Sequence, residues 1–533
     1  MAAIQNNRRN ILRSSFGVSI ATVLARILGL FRVMLEARVL GGGALASAWG
    51  LAFMMPNLFR RLFGEGALST ALIPLLSHVE AEAGLDEARR RLTGIFLWLG
   101  LLLGAIVVAV SGVAMLLRCF ITTEYIHLAL RLIPILMPYT VFICFVGVMT
   151  AVVNTRRVFF LASLNALVLN IVLIALLYYG LSFGGAVKAD FLDLLAVGVL
   201  GAGLLQFLMM AYLMKRSGIF PVRRNGLKGA GKAFRELFLL ALPGMIGGGA
   251  VQVSFLVDRM WACMVGDYAV ASLNFTERLV YLPIGVFAMA LSSVLMADMS
   301  HAAARKDFRE MADDCVLGLR YVWYFCAPLG VFMVVWREPL IRLLFMHGNF
   351  HEFHMRETAW TLLFYALGIP AFCATKVILP MFYARKEMVT PLKISLCAIA
   401  VNLIASPLLM LIWRQGGIAL ATVLSAMVNN LLLLFVLARQ NFGLPFGPVL
   451  QTAVKAVLGS VAGACCIFYY APVREFLEKR QALSAHLPGD LLPLVLAAAG
   501  FGAVYLFCSL VFRMSEPGEM LQSLRRGRRH CQK

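Results

Sequence analysis

Charged residues are few in this chain, and acidic ones fewest: 14% of its 533 residues are Asp, Glu, Lys or Arg, with 27 acids against 48 Lys and Arg. So little charge, beside 61% hydrophobic residues and a mean hydropathy of +0.84, excludes a soluble globular chain of this length. No CxxC pair or His-rich cluster occurs, and most of the eleven cysteines, such as Cys326, Cys373 and Cys465, fall inside apolar stretches. They read as small core residues, which excludes a disulfide framework and a structural metal. No G-x-x-x-x-G-K-[ST] run is present, so ATP hydrolysis is excluded as an energy source. The formal net charge of +21 does not indicate nucleic acid, because the basic residues punctuate the gaps between apolar stretches instead of gathering in one domain.

What is present is a series of apolar segments, at 12–40, 46–77, 91–117, 127–153, 158–182, 191–214, 235–263, 268–300, 314–336, 358–384, 390–413, 417–438, 449–471 and 488–513. A helix satisfies its own backbone groups in lipid and needs about 20 apolar residues to cross it. The expected fold is therefore an all-α polytopic membrane protein with about fourteen spanning helices. A cleaved secretory leader is not expected, since Arg26, Arg32 and Arg38 interrupt the first apolar run.

Loop charges set the orientation. Arg8, Arg9 and Arg13 precede the first segment, Arg89–Arg91 follow the second, Arg156 and Arg157 the fourth, and a dense group from Lys215 to Arg235 the sixth. Arg305 and Lys306, Arg385 and Lys386, Arg439, and the tail at Arg525–Arg529 continue the alternation. Both termini are thus expected in the cytoplasm. The loops 337–357 and 472–487 carry basic residues on the outward side and depart from the rule.

The sequence also repeats. "ALSTALIPLLS" at 67–77 aligns with "ALSSVLMADMS" at 290–300, and the spacing of Pro138 and Asn170 recurs in Pro370 and Asn402. A parallel repeat of six and six helices is a transporter architecture, with the substrate handled where the repeats meet. The expected divisions are 1–220, 221–445, and 446–533 for two further helices and a basic tail.

Charges inside apolar helices are costly and mark pathways. Arg26 and Arg32 lie on the first segment, Arg60, Arg61 and Glu65 on the second, Asp258 on the seventh, Glu277 and Arg278 on the eighth, and Lys376 on the tenth. Their sum is positive. A guanidinium stays charged and grips phosphoryl oxygens with two parallel hydrogen bonds. A pyrophosphate-linked lipid, with a polar head and a tail left in the bilayer, fits such a lining. The three histidines at 347, 351 and 354 share one loop and read as surface residues, not as an enzyme's nucleophile or metal site.

The runs "ARILGLFR" at 25–32, "PNLFRRLFGEGALSTALIPLLS" at 56–77, "ERLVYLP" at 277–283 and "GIPAFCATKVILPMFYARKEMVTPLK" at 368–393 resemble the MurJ (MviN) family of bacterial lipid II flippases, within the multidrug, oligosaccharidyl-lipid and polysaccharide exporter superfamily. The resemblance spans 12–440. It implies two six-helix lobes in a V shape, two C-terminal helices forming a groove for the lipid tail, and a transporter rather than an enzyme. It implies transfer of the undecaprenyl-pyrophosphate-linked precursor across the inner membrane by alternating access, without a bound cofactor. The alternatives are a polysaccharide-lipid flippase or a cation-coupled drug exporter. By the same resemblance Arg26, Arg32, Arg60 and Arg278 hold the pyrophosphate, with Asn57, Glu65, Glu277 and Lys376 beside them. A sodium ion at Asp258, Asn402 and Thr422 is the implied coupling ion, with Ser406 where an acid would strengthen it. The chain departs from the family at Val33 and Ser47, where members often carry acids. A monomer is expected, in contact with membrane lipids and with wall-synthesis or division proteins, and not with nucleic acid.

Overall fold

The computed structural model describes residues 2–64, 67–156, 158–182, 189–221, 230–440, 442–468 and 491–519, with isolated residues at 470, 472 and 475, and most side chains from 21 onward. Among them nine helices are long and apolar enough to cross a membrane, or up to eleven if each of two bent pairs is one span. The difference from fourteen lies partly in continuity. The predicted segments 46–77 and 91–117 are counted as one span, although α3 (Ala67–Phe120) is itself broken between them at Gly84 (φ +82°, ψ 174°), and Phe446–Ala464 is not among the spans. Large side chains such as Leu411, Tyr178 and Val108 stand 80%, 72% and 73% exposed, a surface suited to lipid and not to water.

The chain forms two compact units. The first holds residues 1–271 and the short piece 347–351. Its helices are α1 (Ala2–Leu40), α2 (Ala44–Phe59), α3 (Ala67–Phe120), α4 (Glu124–Leu136), α5 (Tyr139–Thr155), α6 (Phe159–Leu181), α7 (Ala189–Arg216) and α8 (Ala230–Val265). Within it α3 packs along α8, α1 along α6, and α5 against α7. The helix α8, which the sequence repeat assigned to the second half, is thus part of this first unit. The 347–351 piece closes the end of α1. Asn349 donates from its backbone to the Arg38 carbonyl (3.0 Å) and from Nδ2 to the Val39 carbonyl (2.7 Å), satisfying acceptors that a helix end leaves open. Close backbone approach requires glycine there: a Cβ on Gly348 would lie 2.5 Å from the Arg38 carbonyl oxygen, and its φ is +62°.

The second unit holds 272–346 and 352–533. It contains most of α9 (Ala269–Pro283), then α10 (Met289–Ala304), α11 (Phe308–Val335), α12 (Arg337–Phe345), α13 (Glu352–Leu367), α14 (Ile369–Tyr383), α15 (Val389–Trp413), α16 (Gln415–Arg439), α17 (Phe446–Ala464) and α18 (Leu491–Val511). The stretch 337–357, read as a loop, contains the short helix α12 and the first turns of α13.

The helix breaks recur in both units at the repeated positions. A π-helical turn at Arg60–Gly64 precedes the 67–77 copy, and another at Ile284–Ala288 precedes the 290–300 copy. Pro138 opens α5 after a 51° bend from α4, and Pro370 sits in the first turn of α14 after the break that ends α13. Proline is accommodated at a helix start, where no intrahelical partner for its nitrogen is needed.

The two C-terminal helices dock on α11. Phe501 packs on Phe332 and Trp336, Tyr505 on Tyr324, and the Tyr505 hydroxyl donates to the Tyr324 carbonyl at 2.7 Å. Gly459 and Gly463 on α17 let the rings of Tyr505 and Phe501 approach, the small-residue packing of membrane helices. Beyond α18, Glu516 is 1% exposed. It accepts from Arg320 of α11 at 2.8 and 3.0 Å and from the Thr452 hydroxyl of α17 at 2.7 Å. Burial alone would raise its pKa, but the Thr452 hydroxyl, the backbone and the Arg320 guanidinium together hold it below the usual glutamate value. The stabilisation is therefore full above the ordinary carboxylate range and is lost as pH falls through the depressed folded value. Arg320→Ala, which strands the buried carboxylate, is expected to cost about 3 kcal/mol. Thermal unfolding in detergent is expected to show a wild-type midpoint that drops in acid more steeply than that of Glu516→Gln.

Candidate functional site

In the first unit the candidate residues cluster along α1 and the α2 to α3 junction. Arg32 is 5% exposed, its Nε 3.2 Å from Glu36 Oε1 one turn later and its guanidinium 5.7 Å from the Phe53 ring centroid. The sequence reading missed Glu36. The spacing of four residues was the available signal, since it places the acid on the same helix face as the arginine. Val33, where the family often has an acid, is buried apolar core instead. Arg26 lies two turns earlier, half-buried, and has no hydrogen-bond or ion-pair partner among the described residues.

Arg60 opens the π-helical turn. Its Nε donates to Asn57 Oδ1 (3.2 Å), and Asn57 Nδ2 donates back to the Phe53 carbonyl (2.8 Å). A π turn inserts an extra residue into the helix, and such insertions concentrate at functional sites. Here the turn is wedged against α5: a Cβ on Gly147 would come 2.1 Å from the Gly64 carbonyl oxygen, while the Cys144 thiol bonds the Phe59 carbonyl. Ser69 donates its hydroxyl to the Gly64 carbonyl, one of the acceptors the irregular turn leaves over. Arg61 points elsewhere, to Gln252 Oε1 (3.2 Å) and the Phe255 ring on α8. Glu65 lies outside the described residues. Ser47, the second departure from the family, is fully buried and its hydroxyl accepts from the Ala271 amide at 3.1 Å. An arginine that the sequence reading passed over, Arg259, is 3% exposed next to the buried Asp258.

In the second unit Arg278 is exposed and its neighbour Glu277 half-buried, with the Tyr365 hydroxyl donating to Glu277 Oε1 at 3.2 Å. Lys376 is half-buried on α14 and has no hydrogen-bond or ion-pair partner among the described residues. One residue before it, Thr375 donates to Asn430 Oδ1 (2.8 Å), and Asn430 Nδ2 donates to the Ala371 carbonyl (2.7 Å), so that α16 holds this stretch of α14. Asn402 and Thr422 also meet, Nδ2 to Oγ1 at 3.4 Å, with Ser406 buried on the same helix as Asn402. Asp258 belongs to the other unit. No group of three or more His, Cys, Asp or Glu residues close enough to hold a metal occurs among the described residues.

Each unit thus presents, from apolar helices, cationic groups whose charge its own acids do not fully match. A family profile described as "Lipid II flippase MurJ" matches residues 36–479. The chain belongs to the MurJ family. Curated relatives cover it almost end to end: a probable lipid II flippase MurJ of Bdellovibrio bacteriovorus is 28% identical over 97% of this chain and 99% of its own. That of Rhizobium meliloti is 30% identical over 95% and 94%. A solved lipid II flippase MurJ in an inward closed conformation superposes with a TM-score of 0.73 at 24% identity, covering 93% of this chain and 98% of that one. An inward-facing multidrug resistance MATE transporter superposes at 0.62 with 14% identity, over 79% and 99%. These likenesses show that the chain has the fold of those two transporters.

MurJ membership makes the π turn the part of the first unit most exposed to test. Gly147→Ala is expected to push the Arg60 turn aside at a cost of about 1–3 kcal/mol and to abolish transport. Gly201→Ala, whose Cβ would meet nothing within 4 Å, is expected to behave as wild type. Melting temperature and growth rescue of a flippase-depleted bacterium, measured on both variants, separate the two cases.

Proposed function

We propose that this protein moves lipid II, the undecaprenyl-pyrophosphate-linked peptidoglycan precursor, from the inner to the outer leaflet of the bacterial cytoplasmic membrane. Both termini then lie in the cytoplasm, on the side of the basic loops, and the chain works as a monomer. One observation carries the assignment of the site: Arg26 and Lys376 are half-buried on apolar helices and lack hydrogen-bond or ion-pair partners among the described residues. A cation held in a membrane protein without an acid is stable only beside water or an anionic ligand. A diphosphate supplies charge enough for several such groups. Family membership over 36–479 names the lipid that carries it and favours this reading over a polysaccharide-lipid flippase or a drug exporter.

Each residue then has a part. In the first unit Arg26 and Arg60, the latter steered by Asn57, have the chemistry to hold a diphosphate; in the second unit Arg278 and Lys376 offer the same chemistry. Arg32, matched by Glu36, keeps α1 in register beside them. The head enters from the cytoplasmic side, the protein changes between inward- and outward-open states, and the head leaves outside. An ion gradient or the membrane potential drives the cycle. Each charge moved is worth about 2.3 kcal/mol per 100 mV.

The test is rescue of a flippase-depleted bacterium by the wild type and by Arg26→Ala, Arg60→Ala and Arg278→Ala, with membrane expression and outer-leaflet precursor measured. The wild type is expected to rescue. Each alanine variant is expected to lose roughly ten- to a hundredfold in precursor exposure, the value of one hydrogen bond to a charged group. Rescue by all four proteins would make these arginines structural. Failure of a well-expressed wild type would overturn the substrate.

A further inference from the structure

Arg337 and Arg356, from the outward-side stretch 337–357 that breaks the loop alternation, meet a third arginine, Arg414, in the structure. Arg337 at the start of α12, Arg356 on α13 and Arg414 between α15 and α16 line one cavity of about 430 Å³ in the second unit. By helix count this is the face opposite Arg305, Lys306, Arg385, Lys386 and Arg439, where the positive-inside rule leaves loops poor in Lys and Arg. None of the candidate residues for the pyrophosphate lines it.

Most of the charges here are matched. Arg356 pairs with Glu352 at 2.7 Å, Arg337 lies 4.0 Å from Glu338, and Glu357 accepts from Gln415 at 2.6 Å. Arg414 has no hydrogen-bond or ion-pair partner for its side chain among the described residues. Its backbone is at φ +51°, ψ −133°, a conformation that glycine adopts readily and other residues rarely do. The turn is held there by close packing: a Cβ on Gly417 would lie 2.1 Å from the Leu409 carbonyl oxygen. An arginine is thus kept at a position that local backbone preference assigns to glycine.

The rest of the lining indicates what the arginine meets. Trp360 Nε1 donates to the Trp413 carbonyl at 3.2 Å, and both residues line the cavity. Paired tryptophans are the side chains of the membrane–water boundary. Ile412 lines the cavity too, and with Leu408 and Leu411 it continues as an exposed apolar strip along α15. A soluble anion has no use for that strip, whereas an acyl chain does. The volume lies within the range of small-ligand sites.

We propose that this cavity binds the phosphate head of an anionic phospholipid of the outer leaflet, Arg414 taking the phosphate and the α15 strip an acyl chain. The full-length protein is titrated in detergent with phosphatidylglycerol, phosphatidylcholine or inorganic phosphate and read by native mass spectrometry and thermal melting. Arg414→Gly is the informative variant, because it removes the charge while suiting the backbone. Arg305→Gln, an exposed arginine on the opposite face, controls for net charge. The wild type and Arg305→Gln are expected to prefer phosphatidylglycerol over phosphatidylcholine by about tenfold and to gain nothing from inorganic phosphate. Arg414→Gly is expected to melt no lower than wild type without lipid and to lose the preference. Undiminished phosphatidylglycerol preference in Arg414→Gly would overturn the proposal, as would equal protection by inorganic phosphate or equal binding of the two lipids.

Discussion

A charge placed in an apolar slab must find an opposite charge, a hydrogen-bonding partner, water or a ligand, and this demand organises the molecule. Where the chain supplies the answer itself, the charge becomes structural. Arg32 is answered by Glu36 and Phe53 within α1 and α2, and Arg320 by Glu516 and the hydroxyl of Ser515. Where it does not, water or a ligand has to supply the answer. The side chains of Arg26, Lys376 and Arg414 have no hydrogen-bond or ion-pair partner among the described residues.

The second demand concerns the backbone. Every break in a membrane helix frees amides and carbonyls that lipid cannot satisfy, so breaks occur only where something else does. At the Arg60–Gly64 turn, Ser69 and Cys144 bond freed or neighbouring carbonyls, and Gly147 lets α5 close over them. The same irregularity precedes the repeated segment in the second unit, at Ile284–Ala288. Shared breaks are evidence of common ancestry for the halves, since a hydrophobic pattern alone recurs by chance and a π turn at a matched position does not.

Packing of the last two helices follows a different logic. Apolar side chains gain little from one another in lipid, so α17 and α18 are joined to α11 by rings seated over glycines and by one polar junction at Glu516. That junction ties residues nearly two hundred positions apart and holds three helices at one end.

The hydrophobic runs and alternating loop charges determined by themselves that this is a helical membrane protein, and the motifs at 25–32, 56–77 and 368–393 its family. Lipid permits few architectures and each helix carries its own hydrogen bonds, so local pattern suffices for that much. Local pattern could also have paired Arg32 with Glu36. It could not show that α3 runs past 77 before it breaks at Gly84, because a charged amphipathic stretch and a loop look alike in composition. Nor could it show that α8 packs on α3, that Ser47 meets the Ala271 amide, that Glu516 reaches Arg320, or that Arg337, Arg356 and Arg414 share a cavity. Those are meetings between distant residues, and only tertiary packing decides which side chains a charge finds when it is taken out of water.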